Sequence, residues 1–367
     1  MRRFTFFLFL FLTPLAIGQS TPPTFDELSA KAQKAYEDND IEQAAQLYTD
    51  AIKVRPDWPS GWWALGMIDY QRDHYPECRD ELKRMVELDS SAAPGWALLG
   101  LCEFRTKQYD DSFQHLKKAH MMVPEGQGVG QLFDMTDYHL ALLLNRQGAF
   151  ELAQGLLMRV ARRVHDNAEM SFAAGLACLR MPIFPEEVPE KQREVVTMAG
   201  KAFWSLATLV PAESEAAFKA LVSKYPKFPH VHYFYGTYLA AHHPELCAAE
   251  FLEELRVTPD DVPARVELVL RYILDRKLVR AMQLAREAVA LSPDSVGAQL
   301  ALAKALQAQG LEEQALVPLQ QAKKLDPVSP KISLFLASAY RSLHRIDQMR
   351  KEMAEYERLK STQANWP

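Results

Sequence analysis

The pattern Trp-x-x-Leu-Gly occurs twice, at Trp62, Leu65 and Gly66 and again at Trp96, Leu99 and Gly100, and the copies stand 34 residues apart. The same interval separates Ala281 from Ala315, Ala288 from Ala322 and Pro293 from Pro327 near the other end of the chain. A fixed period of this length points to a repeat architecture rather than a single closed core, because one short unit cannot bury its apolar face alone and must stack on its neighbours. Within each period the apolar residues fall three and four apart, which is the spacing of a helix face. A proline closes the second helix of the period, since it lacks an N–H and disfavours helix in the residue before it.

The copies extend beyond these pairs. The first unit carries Ala32, Ala44, Tyr48, Ala51 and Pro56, and the second Trp62, Leu65, Gly66, Cys78, Leu82 and Met85. The third has Trp96, Leu99, Gly100, Ser112, Leu116, Ala119 and Pro124, and the fourth Leu140, Ala141, Ala153, Leu157 and Val160. Later units carry Tyr235, Gly236, Phe251 and Pro259, then Leu268, Tyr272, Ala281 and Pro293, then Leu302, Ala303, Ala315 and Pro327, and last Leu336, Ala337 and Tyr340. On these residues the chain resembles a tetratricopeptide-repeat (TPR) protein and, with its leader, the secreted bacterial members of that family. The resemblance implies an all-α fold, a right-handed α-solenoid of antiparallel helix pairs, with about nine units here. Small residues would let the two helices of a pair approach closely, and Gly148 and Gly310 would close first helices in the left-handed conformation.

Two stretches depart from the pattern. "EGQGVGQ" between the third and fourth units lengthens a loop or an entering helix. "MPIFPEEVPEKQ", residues 181–192, carries Pro182, Pro185 and Pro189 and cannot be a continuous helix. Only two helices, at about 190–208 and 213–224, fit between the helix at 168–181 and the one starting near Pro229, so pair alternation breaks here. The expected organisation is a signal at 1–18, a linker at 19–24, an N-terminal arm at 25–167, degenerate repeats at 168–228, a C-terminal arm with a charged terminal helix at 229–363 and a tail at 364–367.

The leader "MRRFTFFLFLFLTPLAIGQS" places two arginines before an apolar run, with Ala16 and Gly18 spaced as at a signal-peptidase site. It reads as a secretory signal cleaved near Gly18–Gln19, giving a periplasmic or extracellular protein; the rival reading is a retained N-terminal anchor. A net charge of -5 lacks the footprint of a nucleic-acid binder. Of the four cysteines, Cys102 and Cys178 lie in apolar helical runs, which favours buried thiols throughout. A Cys78–Cys102 bridge is the alternative that export would permit.

The sequence has no HExxH, GxSxG, phosphate-binding or dinucleotide-binding motif, so no catalytic residue, cofactor or metal is expected. His230 and His232 are two apart and would point to different sides of a helix. The TPR resemblance implies that one stripe of the first helices lines a concave groove. In the second unit the stripe is Trp63, Met67 and Tyr70; in the third it includes Leu101 and Phe104; in the fourth it is Tyr138, Leu142 and Asn145. Arg105 and Arg146 lie at the rim. At the positions where some relatives carry the lysines and asparagines that clamp a terminal carboxylate, this chain has Trp63, Met67, Leu101 and Leu142, so that clamp is not expected. The groove suits an apolar segment of a protein partner, and the expected role is a non-catalytic interaction scaffold. Two alternatives stand beside it: the stripe is covered by the chain itself, or the protein assembles through its convex face or ends.

Overall fold

A computed structural model describes residues 23–123, 130–208 and 211–362. The leader, most of the glycine-rich insert and the tail from Gln363 lie outside the described residues. All regular structure within them is helical, and none of the helices is long and apolar enough to cross a membrane. The chain divides into two compact units between Ser90 and Ser91, so the sequence-based limits near 167 and 228 both fall inside the second.

The first unit holds two helix pairs, α1 (Phe25–Glu37) with α2 (Ile41–Val54) and α3 (Pro59–Gln71) with α4 (Tyr75–Leu88). Thr24 opens α1 with a capping box to Glu27, and Asp40 caps α2. These oxygens satisfy backbone N–H groups that the first helical turn leaves without partners. Both pairs turn on a left-handed residue, Asn39 at φ 60° and Asp73 at φ 59°. Ala32, Ala44 and Ala51 are wholly buried between the helices. Gly66 shows why the repeat needs a small residue: a Cβ there would lie 2.6 Å from Leu82 Cγ. The glycine therefore makes room for a leucine of the partner helix.

Glu81 of α4 is half-buried beside Asp69 of α3. Desolvation, reinforced by the negative charge of Asp69, pushes its carboxyl up to about 8. A raised folded-state value means that the native unit holds this proton more tightly than the unfolded chain. Its contribution to stability is complete below the ordinary carboxyl range and is lost as pH rises towards 8. The first unit should therefore lose on the order of 2 kcal/mol between pH 5 and pH 9, allowing for solvent screening of a partly exposed group. Urea unfolding at the two pH values checks this, and Glu81→Gln should flatten the difference.

The second unit begins with α5 (Ala93–Arg105) and α6 (Tyr109–Met122), then α7 (Gln131–Arg146) and α8 (Phe150–Ala161), then α9 (Ala168–Cys178) and α10 (Glu190–Ser205). A single helix, α11 (Pro211–Lys224), follows. Four pairs complete the unit: α12 (Val231–His242) with α13 (Cys247–Val257), α14 (Val262–Leu274) with α15 (Leu278–Leu291), α16 (Val296–Ala308) with α17 (Glu312–Leu325), and α18 (Pro330–Ser342) with α19 (Ile346–Thr362). The glycine rule recurs: Gly100 leaves space for Leu116 and Gly236 for Phe251. Ser112 donates to the Gly100 carbonyl at 2.7 Å, which fixes the close approach of α5 and α6. Gly148 and Gly310 are left-handed as expected, at φ 79° and 76°. Charged α19 buries only Leu359, as suits a terminal helix with a wet face.

The break in alternation is realised differently from the simplest expectation. The proline-rich stretch interrupts the helix, yet α9 and α10 on either side of it form a tightly packed pair. The helix left over is α11. In α9 and α10 small meets small: a Cβ on Gly175 would overlap the Val196 carbonyl oxygen, and one on Gly200 would overlap that of Ser171. Backbone lies directly against backbone here.

The expectation of four thiols holds only for Cys178 and Cys247, which are free and buried. Cys78 and Cys102 are disulfide-bonded. Both are wholly buried, so the same small size that suits a repeat core also suits a covalent link.

Candidate partner-binding surface

The stripe residues fall in both units and meet different surroundings. In the first unit, Trp63 and Met67 of α3 face Tyr36 and Gln33 of α1 across a cleft of ≈ 480 Å³, with Trp58 and Tyr48 among its other lining residues. The cleft has a rigid wall. Trp58 packs edge-on against Phe25, with ring centroids 5.0 Å apart, and lies 5.9 Å from the Tyr48 ring. A Cβ on Gly61 would run into the Trp58 ring, so this glycine is what admits the indole. The Tyr48 hydroxyl donates to Gln33 Oε1 at 3.0 Å. Tyr70 is half-buried and packs edge-on against Tyr75 at 5.7 Å.

The tryptophans divide by task. Trp62 donates its indole N–H to the Pro56 carbonyl at 2.9 Å, and Trp204 donates to that of Val164 at 3.1 Å. Trp58 makes the ring contacts above, and Trp96 lies under Lys118, whose ammonium is 3.4 Å from the ring centroid. Among the described residues Trp63 has no hydrogen bond and no ring contact, and it stays half-buried at the cleft.

In the second unit the stripe is closed. Leu101, Tyr138, Leu142 and Asn145 are all buried. The proline-rich segment between α9 and α10 reaches this stripe at Asn145 and Phe104. Asn145 donates from Nδ2 to the carbonyls of Met181, at 2.7 Å, and Ile183, at 3.3 Å. The Phe184 ring sits 5.7 Å from Phe104 and 5.0 Å from Tyr109, with the Arg146 guanidinium 5.0 Å from its centroid. Arg146 also pairs with Glu187, which in turn accepts the Phe184 backbone N–H at 2.7 Å. The Tyr138 hydroxyl donates to Glu169 at 2.9 Å, and burial raises its pKa. Burial pushes neighbouring His139 down to about 4, so a neutral imidazole meets the Phe104 ring edge at 4.6 Å. Arg105 remains exposed. The sequence left self-coverage open, by the glycine-rich insert or by tight superhelical winding; the residue that packs on the stripe here, Phe184, reads in the sequence only as part of a helix-breaking loop.

A further cavity of ≈ 750 Å³ in the second unit has Glu151, Arg180, Tyr233 and Glu267 on its wall. On that wall Arg180 donates to Glu151 at 2.5 Å and lies 4.7 Å from the Phe150 ring centroid.

Residues 29–93 match the sequence profile of the tetratricopeptide repeat family. That stretch of the chain carries tetratricopeptide repeats. No curated protein sequence matches the chain. Among solved structures it is similar to the MamA RS-1 ArsTM double mutant, with 18% identity over 46% of this chain and 96% of that one, at a TM-score of 0.40. It is also similar to the Cut9-Hcn1 hetero-tetramer of APC/C, with 12% identity over 91% and 72% of the two chains and a TM-score of 0.35. A third is YrrB, a TPR protein with an unusual peptide-binding site, with 15% identity over 70% and 97% and a TM-score of 0.32.

Proposed function

We propose that this TPR protein is an exported, non-catalytic scaffold that holds an apolar segment of a protein partner in the Trp63 cleft. The observation that carries the reading is the contrast between Trp63 and the other described tryptophans: each of those makes a hydrogen bond, a ring contact or a cation–π contact, and half-buried Trp63 makes none. An aromatic side chain beside a methionine gives adaptable contact area, and tryptophan dominates the energetics of many interfaces. The cleft volume is typical of a site that takes a compact ligand or a few side chains. The second-unit stripe is already filled by Phe184, which leaves the first-unit portion as the accessible part. Export is supported by the leader and by the disulfide-bonded state of Cys78 and Cys102, since such bonds persist in oxidising compartments.

Trp63→Ala combined with Met67→Ala should weaken partner binding by about 2 kcal/mol or more, roughly thirtyfold, with unchanged circular dichroism. Partner recovery equal to wild type would count against the cleft. A second reading, assembly through other surfaces, is favoured by the exposure of Leu274, Val279 and Val317 at 75%, 82% and 69%. On that reading the cleft variant is silent.

A further inference from the structure

We propose that His230, Glu254 and Asp261 bind one divalent transition-metal ion of the zinc class. The three residues come from separate elements. His230 precedes α12 in the left-handed conformation, at φ 65° and ψ 1°. Glu254 lies on α13, and Asp261 is the N-cap of α14. One ligand atom from each lies within 4.8 Å of the other two. His230 Nδ1 is 2.9 Å from Asp261 Oδ2 and 4.0 Å from Glu254 Oε1. A tetrahedral ion with ligands at about 2.0–2.2 Å separates them by roughly 3.3 Å, so side-chain shifts of at most about 1.5 Å between ligand atoms close the site.

Two features distinguish this cluster from an ordinary ion pair. First, both carboxylate side chains are wholly buried, and such charge must be compensated. Glu254 spends its oxygens on the His230 N–H at 2.8 Å, Thr258 Oγ1 at 2.9 Å and the Tyr233 N–H at 3.1 Å. Asp261 spends only Oδ1, on the Ala264 N–H at 2.6 Å. Second, Asp261 Oδ2 and His230 Nδ1 approach to 2.9 Å, yet neither has a hydrogen-bond partner. Their lone pairs are not aimed at each other, as expected of two ligands that share a third atom. Arg265 does not fill the gap, because its terminal nitrogens go to the backbone carbonyls of Asp261 and Pro259.

The donor set selects the ion. One imidazole nitrogen with two carboxylate oxygens suits zinc and its neighbours, whereas calcium takes six to eight oxygens. The His230 side chain is 22% exposed, so the ring lies at the solvent edge of the cluster. The bound ion would tie the starts of α12 and α14 to α13.

The test uses the purified full chain, stripped with EDTA. Titration with Zn²⁺ by calorimetry, and with Co²⁺ by its visible absorption, should show one equivalent bound, and Zn²⁺ should raise the thermal midpoint. Asp261→Asn keeps an oxygen for the Ala264 cap but loses the anionic ligand. His230→Asn keeps a residue type that tolerates the left-handed backbone. Each should weaken Zn²⁺ binding at least tenfold. Absence of saturable binding by the native chain, or a loss below tenfold in both variants, would overturn the proposal.

Discussion

Replacing Gly200 by alanine is expected to destabilise the second unit by about 3 kcal/mol or more. In most exposed helix interiors this change stabilises by roughly 0.5–1 kcal/mol, because glycine loses more backbone entropy on folding. Here the sign reverses. The new methyl would overlap the Ser171 carbonyl oxygen and lie 2.8 Å from its carbon, and backbone cannot rotate away as a side chain can. The α9 and α10 axes must separate, which opens voids along the rest of the pair. Gly175→Ala should act alike, since its Cβ would overlap the Val196 carbonyl oxygen. The double substitution should cost less than the sum, because one separation relieves both overlaps. Gly66→Ala is the control: it meets only the Leu82 side chain, so a smaller loss is expected. Urea midpoints of the four variants check the series, and a neutral Gly200→Ala would contradict the backbone contact.

Phe184→Ala should cost about 3–5 kcal/mol, the range for truncating a buried phenylalanine. Its ring is 4% exposed and is held by Phe104, Tyr109 and the Arg146 guanidinium. The loss has a second consequence, because the same ring covers the second-unit stripe. The variant should bind a hydrophobic dye more strongly under native conditions, and Phe184→Leu should show both effects weakly. A loss below 1 kcal/mol with no added dye binding would mean that the segment rests on the stripe without closing it.

The repeat itself was legible because its determinants are local. Gly66 and Gly100 lie at a fixed offset from Leu82 and Leu116, and the left-handed turns at Gly148 and Gly310 follow from residue type alone. The number of helices between 181 and 229 was also readable, from prolines and helical spacing. What the sequence could not show depends on distant segments meeting. Phe184 reads as a loop residue until the turn between α9 and α10 folds over Asn145, whose hydrogen bonds reach 36 and 38 residues along the chain. His230 reads as one of two mismatched histidines on a helix, whereas it precedes α12 and faces two carboxylates from later elements. The pairing of Gly175 with Gly200 was hidden for the same reason, as the long loop between them breaks the regular offset.

The most direct measurement places a photo-crosslinking residue at position 63 in one variant and at position 142 in another, in cells that make the protein. The account predicts an adduct with another protein from position 63 and none from position 142, which is buried on the closed second-unit stripe. Adducts from position 142 with none from position 63 would contradict it.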